Sequence, residues 1–409
     1  MNRLPRGIFV LGVVSFLTDL SSDMIYPLLP VFLSGTLGAG ALALGIIEGV
    51  AESTASFLKI VSGFWTDRVN RRRPFIVFGY GISGLVRPLI AFAATWPFVL
   101  MMRFGDRIGK GLRTAPRDAL IADITEPGQR GKAYGFHRSM DHAGAVVGPL
   151  VAAGLMGAMA LSIREVFLLA AIPAVMVILI LIFFLKEPAV KGAQAPIPPR
   201  LQSHWKDLRA SYKTFLLAML LFTLGNSTDA FILLRLSEAG VSPAYVAVLW
   251  SVHHVIKMVS TYAGGRLSDA LGSRRLIISG WIFYALIYAA FSYVDTPDFL
   301  IAVFLLYGVY FGLTEPSEKA YVAAAVPVNL RGTAFGYYHF IVGLGALPAS
   351  LVFGLLWHTF GVKAAFLTGA GLAIAAAILL LLTYYLDQAE NKPVAVHTPI
   401  PETPQHGEP

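Results

Sequence analysis

Polar and apolar positions along the chain segregate into long blocks. Apolar runs cover 8–33, 42–64, 75–94, 97–121, 133–158, 164–185, 213–235, 243–264, 276–294, 298–323, 333–358 and 362–386. At about 1.5 Å per residue, each run can cross a hydrocarbon layer of about 30 Å as a helix. The alternating segments of about ten residues that build a membrane barrel are absent. The pattern predicts an all-α membrane protein with twelve transmembrane helices. The fourth and tenth runs carry charges near one end. Prolines fall inside the runs as well as between them, which membrane helices tolerate and soluble helices resist.

The polar breaks give the orientation. The side holding the N-terminus collects Arg3, Arg6, Arg68, Arg71, Arg72, Arg73, Arg130, Lys132, Arg266, Arg274, Arg275, Arg331 and Lys392. The other side collects Arg164, Lys363 and Arg235. Basic loops stay cytoplasmic, so both termini are expected there. Residues 186–212 form the long internal polar segment, with Pro188, Pro196, Pro198 and Pro199 among Lys186, Lys191, Arg200, Lys206 and Arg209. This cytoplasmic linker joins a bundle over 1–185 to a bundle over 213–387, six spans each. The Pro-rich tail, 388–409, is expected to be disordered. Met1 to Arg6 and Gly7 to Phe16 have the look of a signal start. Asp19 and Asp23 follow without a small-residue cleavage site, so this stretch reads as a retained first span.

Composition narrows the chemistry. Only 14% of residues are charged, against about a quarter in soluble chains. The net charge of +8 sits in short loops between spans, and no basic-and-aromatic pattern suits a nucleic acid. The absence of cysteine removes disulfides and thiolate chemistry. No Gly-rich phosphate loop supports an ATP-driven mechanism. No nucleophile–base pair follows from spacing, so the chain does not read as an enzyme. No cofactor is expected.

Two segments repeat. Gly63, Asp67, Arg68, Asn70, Arg71 and Arg72 follow the second run, and Gly265, Asp269, Arg274 and Arg275 follow the eighth, 202 residues on. Arg130-Gly131-Lys132-Ala133-Tyr134-Gly135 returns as Arg331-Gly332-Thr333-Ala334-Phe335-Gly336, 201 residues on. A weaker echo sets Ser21-Ser22-Asp23 against Ser227-Thr228-Asp229. Near-constant offsets indicate two parallel repeats.

On these residues the chain resembles the major facilitator superfamily of secondary transporters, over its whole length apart from linker and tail. The family pattern Gly-x-x-x-Asp-Arg-x-Gly-Arg-Arg is matched by Gly63, Asp67, Arg68, Arg71 and Arg72. Asn70 replaces a Gly, and Asn tolerates the left-handed conformation better than most residues. The resemblance implies two pseudo-symmetric six-helix bundles in the cell inner membrane, working by alternating access. It also implies a gate latch. Asp67, and its copy Asp269 beside Arg274, would meet basic partners or a helix N-terminus across the boundary between halves. The alternative for this segment is a basic loop that only sets topology. Arg103 and Gly111 fit the family's fourth span, although Arg107 stands where a Gly is usual. Gly144-Ala145-Val146-Val147-Gly148-Pro149 resembles a motif of the proton-antiporting exporters. The Gly pair that follows in the family is replaced by Leu150-Val151-Ala152. Plain helix packing would account for the same glycines.

Ionisable residues inside spans are costly and functional by default. Asp19, Asp23 and Tyr26 share a face of the first span. The second carries Glu48, Glu52 and Lys59, the third Arg87. The fourth carries Arg103, Asp106, Arg107 and Lys110, then Arg113 and Arg117. The fifth clusters His137, Arg138, Asp141 and His142. The second half offers Asn226, Asp229, His253, His254, Lys257, Glu315, Glu318, Lys319 and His339. Charges in such surroundings need partners, so Asp19 or Asp23 is expected to pair with Arg103 or Arg107 and to exchange a coupling proton. Asp106 and Asp141 are rival proton sites. Tyr26, Glu48, Glu52, Lys59, Lys110, His137, His142, Asn226, Asp229, His253, Lys257, Glu315 and His339 are expected around the substrate cavity, Glu48 and Glu52 toward its outer gate. A fixed ion-pair network that only sets packing is the alternative for any one of these. His137, Asp141 and His142 have a spacing open to a divalent cation, but no metal site is assigned.

The expected activity is proton-coupled export of a small organic compound by a monomer in the lipid bilayer. Import of an anionic solute, held by Arg103, Arg107, Lys110 and Lys59, and export of a metal ion or chelate are the alternatives. A non-transporting sensor on the same fold would not need both the gate motif and the cavity charges.

Overall fold

The computed structural model describes residues 4–39, 41–187, 205, 208–241 and 243–390. Single turns aside, the helices are α1 Arg6–Asp23, α2 Ala41–Val69, α3 Arg73–Leu89, α4 Trp96–Ile124, α5 Arg130–Met159, α6 Ile163–Leu169, α7 Ala171–Phe184, α8 Ala210–Gly225, α9 Ala230–Glu238, α10 Pro243–Leu271, α11 Ser273–Tyr293, α12 Pro297–Ala325 and α13 Arg331–Glu390. There is no strand among the described residues. Every apolar run coincides with helix. The sixth run is divided between α6 and α7, the seventh between α8 and α9. The last two runs fall in α13, which breaks at Gly361 with φ 87, a conformation open to glycine at little cost.

Local sequence sets these boundaries. Ser162 and Glu165 form a reciprocal capping box at the start of α6, which satisfies two otherwise orphaned donors. Prolines in the first turns of α3, α4 and α12 sit where no backbone N–H is needed. Asn70 adopts φ 54, the left-handed turn expected of it, and Gly272 has φ 90 at the matching place in the second copy. Of the expected linker, residues 188–204, 206 and 207 lie outside the described residues, as does 391–409 of the tail. Helix α13 extends past 387 to Glu390.

Eight stretches among the described residues are long and apolar enough to cross a membrane. Helix α4 is not one of them, because Arg103, Asp106, Arg107, Lys110, Arg113, Arg117 and Asp118 lower its hydropathy. Five of these, Arg103, Asp106, Arg113, Arg117 and Asp118, are nonetheless buried. Their charge is turned inward onto protein partners, so composition alone understates such a helix.

Packing follows the repeats. Helix α1 lies on α5, α2 on α4, α3 on α4, α8 on α13, and α11 and α10 on α12. The most extensive contacts between the halves are α2 on α13 and α5 on α10. Glycine allows both. A Cβ on Gly63 would stand 2.3 Å from the Gly332 carbonyl oxygen, and one on Gly265 would stand 2.3 Å from that of Gly131. The backbones touch where a side chain would hold them apart.

Candidate functional site

At the end of the bundle carrying the repeated loops, the halves are tied twice. The Asp67 carboxylate accepts from the backbone N–H of Gly332 at 2.9 Å and of Thr333 at 2.5 Å. These are orphan donors in the first turn of α13, at the positive end of its dipole. Asp269 accepts from Gly131 N–H at 2.7 Å and Lys132 N–H at 2.8 Å, in the first turn of α5. Each copy of the loop therefore caps a helix of the other half.

The first tie is reinforced. Arg72 pairs with Asp67 and reaches Asp123 at 3.3 Å, and Arg331 pairs with Asp123 at 2.7 Å. In the second tie Arg130 donates instead to the Ala323 carbonyl at 3.0 Å. Arg68 and Arg71 are exposed and take no side-chain part in the latch. Arg274 lies over the Tyr321 ring at 5.5 Å.

Deeper in the bundle, Asp118 of α4 is fully buried. It pairs with Lys319 of α12 at 3.0 Å, His339 Nε2 of α13 at 2.8 Å and its neighbour Arg117 at 3.1 Å. Spacing within one helix could not reveal this cluster. The available signal was that Asp118 and Lys319 stand 201 residues apart with opposite charge, the offset that separates Arg130 from Arg331. Equivalent positions of parallel repeats lie at equal depth, so they can meet between the halves.

A third crossing joins α5 to α12. Arg138 grips Glu315 with two hydrogen bonds, Nε to Oε2 at 2.7 Å and Nη2 to Oε1 at 2.8 Å. The same guanidinium donates to Asp141 at 3.0 Å, and His142 Nε2 lies 3.4 Å from Glu315. Ser15 of α1 donates to Asp141. His137, buried and 3.8 Å from Asp141, has no hydrogen-bond partner on either ring nitrogen.

The arginines of α4 pair directly with an acid of their own helix, and their charge reaches Asp23 at longer range. Arg103 and Arg107 lie 3.8 and 3.7 Å from Asp106, and Arg87 bonds the same carboxylate at 2.7 Å. Asp19 and Asp23 form no ion pair with Arg103 or Arg107, nor a hydrogen bond through their carboxylates, among the described residues. The physical reason is local. Asp106 is on the same helix turn as both arginines, whereas α1 presses its acidic face against α5. A Cβ on Gly144 would come within 2.9 Å of Asp19 Cβ, and one on Gly148 within 2.9 Å of Asp23 Cβ. Both carboxyl residues are partly buried. Tyr26 is exposed beneath the Arg103 guanidinium, 5.3 Å from its ring centroid.

The first spans of both halves break at matching places. Helix α1 ends at Asp23, and α8 ends at Gly225 before α9 resumes at Ala230. Non-helical backbone at membrane depth is tolerated where protein or a cavity covers it. Asn226 and Asp229 sit in the second break. Tyr284 donates to Asn226 at 3.3 Å, and Asp229 receives Tyr307 at 3.0 Å and Lys257 at 3.4 Å. The Lys257 ammonium also lies 3.6 Å from the Phe311 ring centroid. His253, expected at the cavity, is instead sealed among aromatic rings, with Phe304 stacked at 4.5 Å and Tyr307 at 5.5 Å. The neighbouring His254 faces His142 across the halves at 6.0 Å. Lys59 is buried, and Lys110 is partly buried on the inner side of α4. The side chains of Glu48 and Glu52 lie outside the described residues. No group of three metal-ligating side chains occurs among the described residues.

Comparison with known proteins agrees with this architecture. The family profile described as Major Facilitator Superfamily matches residues 11–256 and 214–405. An uncharacterized MFS-type transporter of Methanocaldococcus jannaschii is 32% identical over 389 residues, covering 93% of this chain and 95% of its own length. The multidrug resistance protein MdtG of Escherichia coli is 25% identical over 389 residues, 91% of this chain and 93% of its own. Among solved structures, the human organic anion transporter TETRAN superposes with a TM-score of 0.75 at 19% identity, covering 92% of this chain and 99% of its own. The E. coli fucose:proton symporter FucP does so with a TM-score of 0.77 at 12% identity, covering 92% and 98%.

Proposed function

The chain belongs to the major facilitator superfamily, and from that premise we propose that it exports a small organic compound in exchange for protons. It is a membrane-embedded secondary transporter of small organic solutes. In the proposed arrangement twelve spans form two six-helix bundles, 1–185 and 213–387. The linker and both termini are cytoplasmic in the inner membrane, and the unit is a monomer. The ends tied by Asp67 and Asp269 are then the cytoplasmic gate, closed in this conformation.

One observation carries the coupling assignment. Asp19 and Asp23 are partly buried carboxylates that form no ion pair among the described residues, one turn apart, seated on Gly144 and Gly148 of the motif that resembles the exporters'. A carboxylate with neither partner nor full hydration is expensive to keep charged, so a neutral, protonated state is within reach. Because Ser15 of α1 bonds Asp141 of α5, and Asp141 shares Arg138 with Glu315 of the second half, proton occupancy can favour one arrangement of the halves. Antiport follows if substrate and proton stabilise different arrangements. MdtG, named for multidrug resistance, supports the exporting direction.

A second reading is import of an anionic solute. Three guanidinium groups, of Arg87, Arg103 and Arg107, surround the single carboxylate of Asp106, and Lys110 is one turn away from Arg107. A carboxylate or phosphate could share that charge. Proteoliposomes carrying an imposed proton gradient, screened with organic cations, neutral compounds and organic anions in both orientations, separate the readings. Proton-driven accumulation against the direction of proton flow supports export by exchange. Accumulation of anions along it supports import.

A further inference from the structure

We propose that Glu315 is a second protonatable residue of the transport cycle, and that its grip on Arg138 ties the halves together until a proton replaces it. This rests on the alternating-access reading above. The pair lies away from the loop latch and joins α5 of the first half to α12 of the second. Its two hydrogen bonds are parallel and fork-like, at 2.7 and 2.8 Å, the geometry in which a guanidinium binds a carboxylate most strongly.

The asymmetry of the partners gives the tie its direction. Arg138 has a second acceptor on its own helix, Asp141 at 3.0 Å, three residues on. Among the described residues, Glu315 has no hydrogen-bond donor or ion-pair partner on its own half. Its contacts are Arg138 and His142, both on α5. When the halves separate, the guanidinium keeps a carboxylate, whereas Glu315 loses both contacts together.

The groups around it do not replace them. From α10, the Lys257 ammonium is committed to Asp229 at 3.4 Å and to the Phe311 ring. From α13, Tyr338 donates to Glu318 at 2.7 Å. On α12 itself, Glu318 is acidic, Lys319 turns to Asp118, and Tyr310 is a neutral phenol. From α4, Asp118 is held by Lys319 and His339; from α11, Tyr284 serves Gly225 and Asn226. An ionised Glu315 in an opened bundle would keep only the longer-range charge of Lys257, which Asp229 already holds, and that is unfavourable. One proton added to the carboxylate removes that penalty. The guanidinium stays charged and moves wholly onto Asp141. Ionised Glu315 therefore holds the closed arrangement, and protonated Glu315 permits the open one.

The chain has no cysteine, so two labels can be placed cleanly. Val69 and Leu271 are exposed at the ends of α2 and α10, one on each half, and outside the latch contacts. Spin labels on Val69→Cys and Leu271→Cys in purified full-length protein report the opening of this gate without any transported compound. Acidification should shift the wild-type distance distribution from short to long. Glu315→Gln should give the long distance at neutral pH, with the long-to-short ratio raised at least about tenfold, and lose most of the response to pH, the remainder belonging to Asp19 and Asp23. Glu315→Asp should restore the response, and a monodisperse elution profile establishes that each variant is folded. A wild-type distribution indifferent to pH overturns the proposal, as does a folded Glu315→Gln that titrates like wild type. The readout needs no gradient-driven transport, so a failure of proton-coupled export in liposomes would be seen separately.

Discussion

Asp67 and Asp269 perform the same act on opposite halves: each carboxylate caps the first turn of a helix belonging to the other repeat. The two ties differ in reinforcement. Asp67 also holds Arg72, and Asp123 brings in Arg331. The second copy has Ala324 where Asp123 stands in the first, and Arg130 finds only a backbone carbonyl.

That difference sets the first prediction. Asp67→Asn keeps one acceptor oxygen but loses the charge that holds Arg72, and a charged hydrogen bond is worth about 1.5–3 kcal/mol. Initial transport rates in proteoliposomes should fall at least about tenfold, with the thermal midpoint of the purified protein shifted by only a few degrees, about what 1–2 kcal/mol produces. Asp269→Asn should lose roughly two- to threefold, since its partners are two backbone donors. Wild-type rates in purified Asp67→Asn would remove the latch from the mechanism.

Gly63 predicts a steric effect of a different kind. Its Cβ would meet the Gly332 carbonyl at 2.3 Å, and backbone cannot yield as a flexible side chain can. Gly63→Val should prevent the halves from meeting at this end. Spin labels on Val69→Cys and Leu271→Cys should then report the long distance under all conditions. A short distance indistinguishable from wild type would mean that the contact is not needed for closure.

Asp118 is a test of stability. Replacing it by Asn leaves Lys319 and Arg117 buried beside a neutral amide, and breaking such a cluster costs about 3–5 kcal/mol. The thermal midpoint in detergent should drop by several degrees or more. Asp118→Asn with Lys319→Met should recover part of the loss, because one of the two stranded cations is removed while Arg117 stays. No recovery would indicate that the pair is not a unit.

Topology can be read by labelling. Single cysteines placed within 66–73 or 190–205 should resist a membrane-impermeant reagent in intact cells and react after permeabilisation. External labelling at either place would reverse the assigned orientation.

The sequence was most informative where one helix or one turn carries the information. Block hydrophobicity located all the helices, and the pattern around Asn70 anticipated its left-handed turn. The duplicated loops anticipated that Asp67 would reach a helix N-terminus in the other half. Pairing across helices was not legible, because periodicity fixes the face of a residue and not the neighbour on it. Asp19 and Asp23 were assigned Arg103 and Arg107; both arginines lie within one turn of Asp106, and their charge reaches Asp23 only at longer range than an ion pair. Arg68 and Arg71 were read into the latch with Arg72, although only Arg72 is turned inward. The crossings made by Asp118 and by Arg138 depend on how the halves meet, which only the offset between repeats could hint at.

Exchange of the coupling proton by a carboxylate of α1 is tested by comparing two modes of transport in the same vesicles. Asp19→Asn, Asp23→Asn, Asp106→Asn and Asp141→Asn are each reconstituted and assayed for gradient-driven accumulation and for substrate exchange at equal pH. A proton-exchanging residue, once neutralised, leaves exchange intact and abolishes accumulation. That pattern is expected for Asp19→Asn or Asp23→Asn. Impaired exchange as well is expected for Asp106→Asn, whose loss would strand three arginines. Normal proton-driven accumulation by both the Asp19→Asn and Asp23→Asn proteins would contradict the assignment to α1.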